Sequence, residues 1–297
     1  MRKKIAVIND LSGFGRCSLT AAISAIAAMG VEPCPLPTAV LSAQTGYPSY
    51  YCDDYTDKME YFRSEWEKMG VSFDGIYTGF MAGSRQIEKV FDFLDTFHRP
   101  GTFLLVDPVM GDNGKNYDMF TPELLDMMRM LAAKADLITP NVTELCLLAE
   151  ESYDVLSREA DKENLLKKIE DIAWHVMKDG PKEIVVTGIR FADEKDGTEK
   201  MGNLAVSEAG TKLAAFPFAG ESYSGTGDLF ASVIAGGKAR GDSLADSMEL
   251  AGKMISLAIK DSVLDQVPRN DGVNYEQYLW MLADKKYRNQ MKEVIVP

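Results

Sequence analysis

The stretch Phe103-Leu104-Leu105-Val106-Asp107-Pro108-Val109-Met110-Gly111-Asp112 opens with four apolar residues and no polar alternation, then breaks on an acid and a proline. A strand wetted on one face alternates polar and apolar side chains. An unbroken apolar run therefore signals a strand covered on both faces, as in a parallel sheet flanked by helices. The same kind of run recurs upstream at Ile5–Ile8, Pro35–Leu41 and Gly75–Thr78, and downstream at Leu137–Thr139 and Ile184–Thr187. Helical spacing fills the intervals at about 18–29, 55–69, 84–97, 121–134, 142–150 and 159–178. The succession predicts an α/β protein with a mostly parallel sheet. Beyond Gly188, the segments Gly202–Ser207 and Thr211–Phe216 straddle Glu208-Ala209-Gly210 and predict an antiparallel hairpin. Helices at about 225–239 and 242–261 follow, then a helical tail over roughly 273–291 packed on the outside. No linker, low-complexity tract or repeat interrupts the pattern, so residues 1–297 are expected to form a single domain.

Composition narrows the function. Forty-five acidic against 32 basic side chains leave a formal charge of −13, which excludes nonspecific nucleic-acid binding through clustered Lys and Arg. Cys17, Cys34, Cys52 and Cys146 form no CxxC pair, and with only two histidines there is no zinc-site spacing; reduced, buried thiols are expected. The basic start of MRKKIAVIND runs into Asn9 and Asp10 before an export signal could form. The most apolar helix candidate, Ala21–Val31, falls short of the ~20 residues of a membrane span. A cytoplasmic protein is expected.

Ligands of open parallel sheets bind outside the carboxyl ends of the strands, so the loops there carry the functional reading. In Ser224-Gly225-Thr226-Gly227-Asp228 a glycine turn runs straight into an apolar helix. Successive amides can converge there, and the helix start adds partial positive charge, making an anion hole. Asp228, in the first turn, is either a capping acid or a proton acceptor for a hydroxyl held at the anion site. Asp107, at a strand end, either shapes an Asp-Pro turn or organises Mg²⁺ through water. In Thr139-Pro140-Asn141-Val142-Thr143-Glu144, Asn141 and Glu144 stand at capping-box spacing, which is compatible with a ligand role. The first loop, Asn9 to Ser18, carries Gly13-Phe14-Gly15, but Ser18 stands where a dinucleotide fingerprint needs its third glycine. A nicotinamide-dependent oxidoreductase would rest on that loop alone. No GxxxxGK[ST] loop is present, so phosphates fall to the later glycine turn.

Taken in order, Ser12, Thr45-Gly46-Tyr47, Thr78-Gly79-Phe80, Asp107–Asp112, Thr139–Glu144, Thr187 and Gly225–Asp228 give the chain its resemblance to the ribokinase-like superfamily, and within it to the vitamin B6 kinases. The match spans nearly the whole length. It implies a three-layer αβα fold with a mostly parallel central sheet and an antiparallel hairpin. It also implies ATP-dependent phosphorylation of the 5′-hydroxymethyl group of pyridoxal, pyridoxine or pyridoxamine, with Asp228 as base and Gly225, Thr226 and Gly227 as anion hole. Asp107, Asn141, Glu144 and Thr187 would then serve ATP and its phosphates, with Asp107 and Glu144 at Mg²⁺ and Thr139 near a monovalent cation such as K⁺. Ser12, Thr45, Gly46 and Phe80 would hold the ring, and the subunits would pair as a homodimer.

Two departures bear on the substrate. Ala43-Gln44 stands where many B6 kinases carry Asn-His and resembles the hydroxymethylpyrimidine kinases of the same superfamily, which makes that activity the alternative. Phe80 replaces a tyrosine, keeping ring contact without a hydroxyl. The Gly-Gly motif and β-lid of sugar kinases are not visible. Lys115 is expected to be a solvated loop lysine with a possible reach to the γ-phosphate, and Cys17 a packing residue, because no cationic neighbour lowers its pKa.

Overall fold

The structure, a computed structural model, describes residues 2–117, 119–178, 180–193, 197–220 and 222–283. In chain order the strands are β1 (Lys4–Ser12), β2 (Glu32–Leu41), β3 (Cys52–Asp54), β4 (Gly75–Thr78), β5 (Phe103–Val106), β6 (Gly111–Asp112), β7 (Lys115–Asn116), β8 (Leu137–Ile138), β9 (Glu183–Ala192), β10 (Glu199–Ser207) and β11 (Gly210–Pro217). The helices are α1 (Ser18–Ala28), α2 (Met59–Lys68), α3 (Ser84–Phe97), α4 (Pro122–Ala133), α5 (Val142–Ala149), α6 (Tyr153–Ser157), α7 (Lys162–Met177), α8 (Thr226–Arg240) and α9 (Leu244–Leu264). Among the described residues nine strands form one sheet in the order β11-β10-β9-β8-β5-β4-β1-β2-β3. The pairings from β2 through β9 are parallel, while β3 and the β9-β10-β11 end run antiparallel.

The apolar runs are explained by burial on two sides. Along β1, Ala6 and Ile8 face one core while Ile5 and Val7 face the other, and on β5 Leu104 and Val106 oppose Leu105 in the same way. Helices α3, α4, α5 and α7 cover the first face; α1, α8 and α9 cover the second. This is the three-layer architecture expected. β2 extends further than its apolar pattern because Pro33, Pro35 and Pro37 alternate. Alternate residues aim their amides at one edge, and β3 pairs only with Ala39–Leu41, so the missing donors fall where no ladder is needed.

Several elements differ from the sequence expectation. The hairpin is part of a three-stranded meander, since β9 also pairs antiparallel with β10. The helix expected from 55 begins at Met59, because Asp54 captures the Thr56 amide at 2.7 Å and turns the chain first. The segment expected as one helix from 159 starts at Lys162 under an Asp161 cap, preceded by the short α6. The tail is a 3₁₀ segment over Glu276–Leu282, with Met281 and Leu282 buried against the core, and the remainder of the expected tail, 284–291, lies outside the described residues.

The chain starts in the middle of the sheet, moves outward through β2 and returns to β4 on the other side of β1. Consecutive loops therefore diverge between β1 and β4. Such a switch point opens a crevice at the strands' carboxyl ends.

Candidate active site

Helix α8 begins at the mouth of this crevice. Gly225 caps it in the left-handed region at φ 80°, and a Cβ there would sit 2.0 Å from the Arg16 carbonyl oxygen, so the position admits glycine alone. The amides that follow, at Thr226, Gly227 and Asp228, have no carbonyl one turn back within the helix, and nothing crowds a Cβ placed on Gly227. With the dipole of a 15-residue helix behind them they form an anion cradle. The Thr226 hydroxyl donates to the Tyr223 carbonyl at 3.1 Å, so it braces the turn.

Asp228 lies beside that cradle. Its Oδ1 accepts from Asn9 Nδ2 at 3.0 Å, and the Ser18 backbone amide at the start of α1 also donates to it. The dense surroundings push its pKa from 3.8 to about 6, with the nearby Asp10 carboxylate adding to the rise and the Asn9 and Ser18 donors opposing it. Asp10 is itself buried and has its own proton affinity raised by burial; its Oδ2 accepts the Ser12 hydroxyl at 2.8 Å. Ser12 thus reaches the site, but its proton is committed to Asp10. The sequence reading passed over Asn9 and Asp10. Their signal was two polar residues ending an apolar run that the fold buries completely.

Asp107 stands across the crevice at the end of β5, 6% exposed, its Oδ1 accepting the Thr139 hydroxyl at 2.8 Å. Burial raises its pKa, and the Asp228 charge raises it further. Glu144 and Asn141 make the capping box of α5. The Asn141 side chain accepts from the Glu144 amide at 2.9 Å, and Glu144 Oε2 accepts from the Asn141 amide at 2.8 Å. Both also reach the β5–β6 loop: Glu144 Oε1 accepts from the Met110 amide at 3.1 Å, and Asn141 Nδ2 donates to the Gly111 carbonyl at 2.8 Å. The residues that cap α5 are thus also fixed against the β5–β6 loop. Thr187 joins it, its amide donating to the Pro140 carbonyl at 2.9 Å. The small β6–β7 ribbon, which no run in the sequence announces, carries Lys115 exposed at its turn.

Two buried carboxylates, Asp107 and Glu144, whose proton affinities are raised by burial and, at Glu144, further by the Asp107 charge, fit a site completed by a cation. Hard oxygen donors on Asp107, with Glu144 of α5 bonded to the same β5–β6 loop through the Met110 amide, match Mg²⁺, which keeps most of its waters and takes one or two carboxylates. Among the described residues no group of three or more His, Cys, Asp or Glu forms a complete metal cage. The Thr139 hydroxyl donates a hydrogen bond to Asp107 and keeps its oxygen lone pairs, which suits a monovalent cation.

The loop after β2 forms the opposite rim. Thr45 and Gly46 are exposed there, while Phe80 is half-buried after β4. Gln44 is buried and its amide is taken up by the protein: Oε1 accepts from the Gly46 amide at 2.7 Å, and Nε2 donates to the Asn270 carbonyl at 3.1 Å and to Ser224 Oγ at 3.4 Å. Asn270 Nδ2 donates back to the Gly46 carbonyl at 2.6 Å, and the Tyr47 hydroxyl donates to Asp271. This clasp ties the rim to the loop that precedes the anion cradle. It also fills the first glycine loop. The Gly13 amide donates to the Leu41 carbonyl at 2.8 Å and the Arg16 amide to the Asp271 carbonyl at 3.1 Å, so neither is left for a dinucleotide pyrophosphate. Cys17 is buried beneath, its pKa pushed to about 12 by burial and by the Asp228 and Asp10 charges, which keeps it a packing thiol.

Free amides at a helix start and a carboxylate beside them, outside the carboxyl ends of parallel strands, are the arrangement of a small-molecule kinase of the ribokinase-like fold. The phosphomethylpyrimidine kinase family model matches residues 10–272, and the chain belongs to that family. Pyridoxal kinase PdxY of Leifsonia xyli is 30% identical over 241 residues, covering 78% of this chain and 79% of the relative. A Bacteroides thetaiotaomicron protein with a provisional phosphomethylpyrimidine kinase name, in a crystal form with pyridoxal, superposes with TM-score 0.84 at 36% identity, covering 94% and 95% of the two chains. Pyridoxal kinase from Lactobacillus plantarum superposes with TM-score 0.80 at 26% identity over 97% and 98%. Among the described residues no helix is long and apolar enough to cross a membrane.

Proposed function

We infer that this chain is a pyridoxal kinase: it transfers the γ-phosphoryl of ATP to the 5′-hydroxymethyl group of a B6 vitamer. The observation that carries the mechanism is the Asp228 carboxylate, with its pKa lifted to about 6, beside the free amides at the start of α8. Near neutral pH Asp228 is ionised yet still basic enough to accept a proton. It takes the hydroxyl proton as that oxygen forms a bond to the γ-phosphorus, and the bond from the γ-phosphorus to the β–γ bridging oxygen breaks, its electron pair leaving with ADP. The amides at Thr226 and Gly227 hold the charge on the transferring phosphoryl, an arrangement that needs no reorganisation during the step. Gly225 turns the chain so that those amides converge.

Mg²⁺ bound with ATP supplies charge neutralisation on the phosphates, and Asp107, with Glu144 through water, is the group that would hold it. Asn141 and Thr187 line the phosphate side, and Thr139 faces a monovalent cation. Phe80 stacks on the ring, with Ser12, Thr45 and Gly46 at its edge. The relative crystallised with pyridoxal favours that ring over the pyrimidine. Gln44 weakens the pyrimidine alternative, because both its amide groups are already engaged by Gly46, Asn270 and Ser224. The whole chain acts as a single kinase domain in the cytoplasm, as a homodimer, which light scattering of the purified protein tests directly.

The test of function is the initial rate of ADP release with Mg-ATP and, in parallel, pyridoxal, pyridoxine, pyridoxamine, hydroxymethylpyrimidine and ribose. A B6 vitamer turned over at kcat/KM of about 10⁴ M⁻¹s⁻¹ or more is the expected result. Turnover of the pyrimidine alone would overturn the substrate, and no turnover on any would overturn the kinase assignment.

A further inference from the structure

Asn9 is fully buried on β1, and its side-chain orientation is over-determined. Its Oδ1 accepts two backbone amides, Asp10 at 2.9 Å and Phe80 at 3.0 Å. An exchanged amide would set its NH₂ against both donors, so only one orientation satisfies the group. Nδ2 therefore points away from them and reaches Asp228 Oδ1 at 3.0 Å. Gly79 leaves the space this needs: a Cβ there would lie 2.4 Å from Asn9 Nδ2. Backbone from β1 and from the end of β4, the two strands at the switch point, thus aims one donor at one carboxylate oxygen.

We propose that Asn9 is a positioning residue that holds the Asp228 carboxylate ionised and in a single pose toward the substrate hydroxyl. The proposal rests on Asp228 being the proton acceptor. The two backbone amides that Asn9 satisfies call only for an acceptor, and a carboxylate would serve them equally. What only an amide does there is donate to Asp228. A donor to the ionised form favours that form, which offsets the burial and the Asp10 charge that oppose it. It also stops the carboxylate turning away from the cleft.

Asn9→Asp separates this from a packing role. The substituted carboxylate still accepts from the Asp10 and Phe80 amides, but it sets a second acidic oxygen at hydrogen-bond distance from Asp228. The expected result is an acid limb of the kcat profile moved up by about one pH unit or more, with kcat at pH 7 reduced at least about tenfold, partial recovery at higher pH and an ATP KM within about twofold of the wild type. Gly79→Ala presses on the same amide from the other strand without introducing charge, and the same upward movement of the limb is expected; it decides the matter if Asn9→Asp does not fold. Acid limbs unmoved in the folded variants would overturn the proposal. Asp228→Asn is measured alongside. If that variant retains turnover, it is the assignment of Asp228 that falls, whereas an inactive Asp228→Asn with unmoved limbs in the other two removes Asn9 alone.

Discussion

Replacing Asp228 by Asn should make the protein inactive and, at neutral pH, more stable. The carboxyl's pKa rises from 3.8 to about 6 on folding. A raised carboxyl pKa means that folding prefers the protonated form. That contribution is fully present below pH 3.8 and is lost as pH rises through 6. A shift of this size amounts to about 3 kcal/mol of destabilisation of the wild type at pH 7.5, and to under about 1 kcal/mol at pH 4. The neutral amide escapes it, and relief of the charge on Asp107 acts in the same direction. At about 2.1 cal/mol/K per residue the neutral-pH difference corresponds to about 5 °C in Tm. Any fixed local cost, such as the Ser18 amide facing the new NH₂, is the same at both pH values and cancels in the comparison. Urea unfolding of both proteins at pH 4 and 7.5 measures it. A stability gap between the two proteins that stays constant with pH, or that moves toward the wild type as pH rises, would falsify the account of Asp228 as a strained, ionised acid.

The same shift predicts that kcat/KM of the wild type falls away on the acid side near pH 6, while Asp228→Asn loses about 10²–10⁴ in kcat with ATP binding retained; a rate profile flat through pH 6 would contradict this. Gly225→Ala meets the Arg16 carbonyl and forces a left-handed alanine, which costs about 1–2 kcal/mol in the backbone before the clash, so turnover should collapse with a raised ATP KM. Asp107→Asn should raise the Mg²⁺ concentration needed for half-maximal rate while leaving vitamer KM nearly unchanged, read from a Mg²⁺ titration at fixed ATP. Gln44→Ala opens the clasp between the rim and the Ser224 loop and should raise vitamer KM about tenfold or more through lost buried hydrogen bonds; unaltered kinetics would show the clasp to be dispensable.

Asn9 and Asp10 show where sequence reading stopped. The pattern ends the strand at Ile8 and gives them only as the polar residues that stop the apolar run and open the first loop, because a linear pattern carries no information about which side chain at a strand's end turns inward. In the sequence, Gln44 bears on substrate choice only through the resemblance of Ala43-Gln44 to the hydroxymethylpyrimidine kinases. Its partners are Asn270 and Ser224, more than 150 residues away, and only closure of the rim brings them to it. The β6–β7 ribbon escaped notice because two-residue strands have no periodicity to detect.

Local chemistry determined what the sequence alone could carry. Apolar runs without alternation required strands covered on both faces; Gly225-Thr226-Gly227 required a sharp turn with free amides; Asn141 and Glu144 required a helix start. These depend on neighbours within a few residues, so they are written in the chain. The tertiary structure decided which strand ends face one another across the switch point, and with that the Asp228 charge that raises the proton affinity of Asp107 and the alignment of Asn9 on Asp228. Proton affinity in a buried site depends on charges and donors separated by more than 200 residues, and no order along the chain specifies those distances.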